Sequence, residues 1–196
     1  MSESEGSLSV DARPSIAFLG DSITASGDWA AWLTDERVVN LAVSGETTLG
    51  LLSRVNDIIA ERPDEICLLI GTNDVGSNRS VEHIVRNIQM LLVELRRELP
   101  DVKILVQSIM PRDRKYSGRI QEANIHLWQF APTVHALYLD LWPALADDSG
   151  AIRSEFSRDA LHLTDAGYEA WRAELLPALS ELRELPPISG PVNTVV

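Results

Sequence analysis

Short, nearly continuous apolar runs alternate along this chain with longer amphipathic stretches. The runs are Ser15–Leu19 (SIAFL), Val38–Ala42 (VVNLA), Glu65–Ile70 (EICLLI), Val102–Ser108 (VKILVQS) and Leu137–Leu141 (LYLDL). A strand that is apolar at consecutive positions is covered on both faces, so these segments read as a five-stranded parallel sheet between layers of helix. Leu49–Ala60 repeats its apolar residues at helical spacing and stops before Pro63, and Val81–Leu99 does the same at greater length with Pro100 closing it. Arg119–Phe130 is a third helix. The last, Asp165–Leu182, begins at a cap, Thr164 or Asp165, and presents Trp171, Leu175, Leu176 and Leu179; Pro177 inside it predicts a kink or a split. There is no internal repeat and no low-complexity tract.

Length adds the domain count. The 196 residues suffice for one domain with short extensions: a flexible segment over 1–13, a folded domain over 14–185 and an extended, Pro- and Gly-rich tail over 186–196 that either hangs free or packs on a neighbouring subunit of a homo-oligomer. At 45% hydrophobic and 23% charged residues, such a domain buries a sizeable core without staples. The lone cysteine, Cys67, forms no internal disulfide, and no Cys/His cluster has structural-zinc spacing. A net charge of −12 repels phosphate backbones and anionic lipid, which argues against a nucleic-acid partner. The polar, acidic start MSESEGSLSVDAR lacks the form of an export signal, and no apolar run reaches the ~20 residues of a membrane span, so no membrane insertion and a cytoplasmic location are expected.

In open α/β sheets ligands gather beyond the carboxyl ends of the strands, and the distinctive residues of this chain lie there. After the first run comes Gly20-Asp21-Ser22-Ile23-Thr24. A serine at a strand-to-helix junction sits where free N–H groups and the helix dipole favour developing negative charge, which suits a nucleophile. Helix capping by Asp21, Ser22 or Thr24 is the plainer alternative. After the second run, Gly45 in Ser44-Gly45-Glu46-Thr47-Thr48 lets a backbone N–H approach a ligand closely, or simply makes a turn. After the third, Asn73 in Gly71-Thr72-Asn73-Asp74 can aim an amide donor at the same point, or form an Asx turn. Finally, Asp159-Ala160-Leu161-His162 precedes the last helix. A hydrolytic serine needs an imidazole to take its proton and a carboxylate to orient that imidazole. Among the four histidines, His83 and His126 fall within helical patterns and His135 lacks a carboxylate partner, which leaves His162 as the base.

GDSIT, the glycine of NLAVSGETT, GTND and DALHLTDAGY resemble, in that order and spacing, the four blocks of the SGNH/GDSL hydrolase family, from about Ile16 to about Leu182. The resemblance implies a flavodoxin-like three-layer α/β/α sandwich. It implies Ser22 as nucleophile, His162 as general base and then acid, Asp159 as the residue orienting His162, and an oxyanion hole made by the Ser22 N–H, the Gly45 N–H and the Asn73 amide. No metal and no organic cofactor is implied. Ile23 replaces the usual leucine, and Ser44 a glycine sometimes found there; neither change removes a functional group. Within the family, the run IMPRDRKYSGRIQEANIHLW is similar to the catalytic subunits of intracellular platelet-activating-factor acetylhydrolase, which implies short acyl groups.

The expected activity is hydrolysis of small, soluble, short-chain esters. The basic residues Arg112, Arg114, Lys115 and Arg119 either attract an anionic substrate or form a solvated loop, and most of Trp29, Trp32, Trp128, Trp142 and Trp171 are expected in the core rather than in a carbohydrate platform. An acyltransferase using the same triad, a non-catalytic flavodoxin-like ligand-binding module and an inactive scaffold remain as rivals.

Overall fold

The computed structural model describes residues 13–188. The expectations of a flexible start and an extended end fall almost wholly outside the described residues. Five parallel strands, β1 (Ser15–Gly20), β2 (Arg37–Asn40), β3 (Glu65–Leu69), β4 (Lys103–Gln107) and β5 (Ala136–Leu139), form one sheet in the order β2-β1-β3-β4-β5. This is the flavodoxin-like order, whose switch point lies between β1 and β3. Every residue of β1 and β3 is buried, while the edge strands β2 and β5 are largely half-buried, as central and edge positions require.

The helices are α1 (Ser22–Ala25), α2 (Trp29–Trp32), α3 (Thr48–Ser53), α4 (Val55–Glu61), α5 (Thr72–Gly76), α6 (Val81–Glu98), α7 (Ser117–Phe130), α8 (Trp142–Leu145) and α9 (Asp165–Glu184). Strand side chains alternate between two cores. Ala17, Leu19, Ile66, Leu68, Ile104 and Val106 meet aliphatic residues of α3, α4, α6 and α7 on one face. Ile16, Phe18, Cys67, Leu69 and Leu105 meet Trp29 and the apolar stripe of α9 on the other. That second core is aromatic. Trp29 stacks on Phe18 at 4.2 Å between centroids and meets Trp171 edge-on at 4.7 Å, contacts worth about 0.5–1.5 kcal/mol each beyond burial.

Two helices differ from the sequence pattern. The single helix expected over Leu49–Ala60 is two, because Arg54 leaves helical geometry (φ −112°, ψ 21°) while its guanidinium bonds Glu46 and the Leu41 carbonyl. The expected break at Pro177 does not occur and α9 is continuous. Pro177 lies on the exposed side of α9, as does Ala173, whose carbonyl loses its helical donor there. No helix among the described residues is long and apolar enough to cross a membrane.

Candidate active site

Asp21 ends the β1 turn as the N-cap of α1, and its Oδ1 accepts the Ile23 N–H at 3.0 Å. Capping therefore falls to Asp21, and Ser22, the first residue of α1, is left half-buried with its hydroxyl turned to another segment. Ser22 Oγ lies 3.2 Å from His162 Nε2, across 140 residues of sequence. His162 Nδ1 lies 2.7 Å from Asp159 Oδ2. An Nδ1–H tautomer donates to that carboxylate and leaves the Nε2 lone pair to accept the serine proton.

The Asp159–His162 turn is built for this contact. Ala160 adopts a left-handed φ of +59°, which reverses the chain within the turn, and a bridge between Ser157 and Leu163 closes it. The Asp159 carboxylate also accepts the N–H groups of His162 at 2.8 Å and Leu161 at 3.0 Å, and the Ser157 hydroxyl at 3.2 Å. The His162 imidazole, and then these backbone donors, hold the Asp159 carboxyl far below the usual carboxylate range. The side chains of Asp159 and His162 remain 55% and 54% exposed, so a substrate can reach the imidazole. The other histidines lie elsewhere: His83 bonds Asn87, while His126 and His135 are exposed on the surface.

Asn73, on α5 just beyond β3, donates from Nδ2 to the Glu46 carbonyl at 2.9 Å, and its second N–H has no partner among the described residues. Glu46 follows Gly45, which is exposed and takes a left-handed φ of +79° open to glycine without strain. The described contacts thus bring Ser22, His162 and Asp159 together and tie Asn73 to the Gly45 loop through Glu46. Asp21 is fully buried and its Oδ2 has no partner among the described residues. Burial pushes its carboxyl up to about 6 against the Ile23 N–H and the neighbouring His162, which both pull it down.

Several residues around the site carried no assigned role in the sequence. Asp74, buried beside Asn73, accepts both the N–H and the hydroxyl of Thr48 at 2.8 Å. Glu46 pairs with Arg54 at 2.7 Å through Nε, and the Tyr168 hydroxyl donates to the Ile23 carbonyl at 2.7 Å. Adjacency in GTND was the only available signal for Asp74. Of the basic loop, Arg114 and Lys115 are exposed, whereas Arg112 and Arg119 fold back onto α5. Trp29 and Trp171 are core residues, but Trp128 is 59% exposed and borders a groove of about 520 Å³ with Trp142, Tyr138 and Asp140. Among the described residues, no three His, Cys, Asp or Glu side chains are placed to share a metal ion.

The model of the GDSL-like Lipase/Acylhydrolase family matches residues 18–170. The chain is 25% identical over 183 residues to platelet-activating factor acetylhydrolase IB subunit alpha2 of Rattus norvegicus, covering 88% of this chain and 77% of that protein. It is 25% identical over 186 residues to esterase TesA of Pseudomonas aeruginosa, covering 87% and 90% of the two chains. The crystal structure of a GDSL-like lipase from Bacteroides thetaiotaomicron superposes with a TM-score of 0.76 at 20% identity, over 85% of this chain and 88% of that one, which shows a shared fold.

Proposed function

Because the chain belongs to the GDSL-like Lipase/Acylhydrolase family and is an ester-hydrolysing enzyme of it, we propose that it cleaves short-chain carboxylic esters, acetyl esters above all, through an acyl-enzyme on Ser22. The observation that carries this reading is the continuous line from Ser22 Oγ through His162 to the Asp159 carboxylate, with steps of 3.2 and 2.7 Å. Ser22 Oγ attacks the ester carbonyl while His162 Nε2 takes its proton. Asp159 holds the ring in the tautomer that can accept the proton and stabilises the imidazolium that results.

The carbonyl oxygen becomes an oxyanion, received by the Ser22 N–H, the Gly45 N–H and the free N–H of Asn73. The first of these belongs to the opening residue of a helix, where N–H groups are unpaired. Each such donor typically lowers an acyl-transfer barrier by ~3 kcal/mol. As the tetrahedral species collapses, His162 passes its proton to the leaving alcohol. Water, activated by the same imidazole, then releases the acid from Ser22.

The preference for a short acyl group is favoured by the likeness to a relative named as an acetylhydrolase. The test is hydrolysis of p-nitrophenyl esters from acetyl to octanoyl, with Ser22→Ala beside the parent. Rates that fall steeply with chain length and vanish in the variant are expected. Equal rates in both proteins would remove Ser22 as nucleophile, and a flat chain-length profile would remove the short acyl preference.

A further inference from the structure

Asn73 sits on a helix that cannot hold itself. The five residues of α5, Thr-Asn-Asp-Val-Gly, span little more than one turn, and none is a strong helix former. Its placement must be imposed by contacts from outside: Thr48 bonds the Asp74 carboxylate, and two arginines, Arg112 in the loop after β4 and Arg119 on α7, bond its main chain. Arg112 Nη1 donates to the Thr72 carbonyl at 2.9 Å and to the Thr72 hydroxyl at 3.3 Å, from a guanidinium lying 4.4 Å above the centre of the Tyr116 ring. Arg119 holds the other end, donating from Nη1 to the Val75 carbonyl at 3.3 Å and from Nη2 to the Arg79 carbonyl. A Cβ at Gly76 would come to 3.0 Å from Arg112 Nη1, which places the guanidinium beside the end of the helix.

Arg112 also reaches the other half of the site. Its carbonyl accepts the Ile152 N–H at 3.0 Å. Ile152 bridges Ala146 at the start of the segment that runs on to Asp159 and His162. One residue thus bonds the helix of Asn73 through its side chain and the segment leading to His162 through its main chain.

We propose that Arg112 is a positioning residue for ester hydrolysis: it fixes α5 so that the Asn73 amide meets the developing oxyanion, and Arg119 supports the far end of the same helix. This rests on the reading of Asn73 as an oxyanion donor. It also gives the half-buried Arg112 a role in a strongly acidic chain that needs no anionic substrate: its Nη1 bonds Thr72, while its Nε is buried without a partner among the described residues.

The experiment is a double-mutant cycle of Arg112→Met and Asn73→Ala on p-nitrophenyl acetate, a neutral ester, with Arg112→Lys as a milder variant. Arg112→Met is expected to lower kcat roughly 10- to 100-fold with KM within about threefold, and Arg112→Lys to lie between it and the parent. In the Asn73→Ala background the same Arg112→Met change should cost less than about threefold, since the amide it positions is gone. Thermal unfolding and circular dichroism of each variant exclude simple loss of fold; if Arg112→Met does not fold, Arg112→Lys takes its place in the cycle. An unchanged kcat, an undiminished loss in the Asn73→Ala background, or a loss carried by KM rather than kcat would overturn the proposal. An Asn73→Ala enzyme as active as the parent would instead refute the oxyanion role of Asn73.

Discussion

The two ends of the sheet treat charge in opposite ways. At the amino ends of the strands, two arginines near the core are matched. Arg96, 2% exposed on α6, donates to the carbonyls of Val134, Leu99, Pro100, Val102 and His135. Arg183 on α9 forks onto Glu65 with two bonds of 2.8 Å and reaches Glu36 at 2.8 Å. At the carboxyl ends, Asp21 is buried with a bare oxygen and the Thr24 hydroxyl is buried without a partner among the described residues. Satisfied groups tie α6 and α9 to the sheet, whereas incompletely satisfied ones flank Ser22 in sequence. On the proposed reading, stability and chemistry thus occupy opposite ends of the same strands.

Substitutions at the two ends should separate accordingly. The largest effect is expected at the carboxyl end: Asn73→Ala should lower kcat about 10²- to 10³-fold, equivalent to ~3–4 kcal/mol of barrier, with little change in Tm. Steady-state kinetics beside a melting curve reads both. At the other end Arg96→Met withdraws the donors from a set of buried carbonyls and should cost about 3 kcal/mol of stability, roughly 6–12 °C in Tm. Its kcat per folded molecule, from active-site titration, should match the parent. If Arg96→Met lowered kcat while Asn73→Ala lowered Tm, the division between the ends would fail.

Asp21→Asn sharpens the comparison through pH. The folded-state value of Asp21, about 6, lies above the ~3.9 of an unfolded chain, so the folded protein binds the proton more readily. That contribution to stability is complete below about pH 4 and is lost as pH rises through about 6. The Asn variant has no such loss, so its Tm relative to the parent should be highest at pH 8 and decline toward pH 4. A Tm difference independent of pH would contradict a buried, titrating Asp21. Asp159 behaves conversely: its depressed carboxyl favours the folded state above about pH 4, and that contribution fades as the pH falls through its folded value. The smallest effect is expected from Ala160→Gly, which relieves the left-handed residue and should shift stability by under about 1 kcal/mol in the favourable direction, as a denaturant melt would measure.

The same contrast explains what could be read in advance. The strands were legible because the central ones are apolar on both faces. The meeting of Ser22, Asp159 and His162 could be expected because they fall in compact motifs just past a strand end or before a helix. α5 was not legible, since four polar or small residues and one valine show no period, and its placement draws on Thr48, Arg112 and Arg119, each more than 25 residues away in sequence. Those arginines bond carbonyls, and a main-chain partner leaves no trace in residue type. The break at Arg54 and the continuity at Pro177 were hidden for related reasons: one depends on the distant Leu41 carbonyl, the other on which side of α9 meets water.

The central claim is that one serine forms the covalent intermediate. The most direct measurement is labelling with a fluorophosphonate, read by intact mass and peptide mapping. The account predicts a single adduct on Ser22, absent from Ser22→Ala and formed far more slowly in His162→Ala. An adduct on another residue, or a parent enzyme that hydrolyses esters while remaining unlabelled, would contradict it.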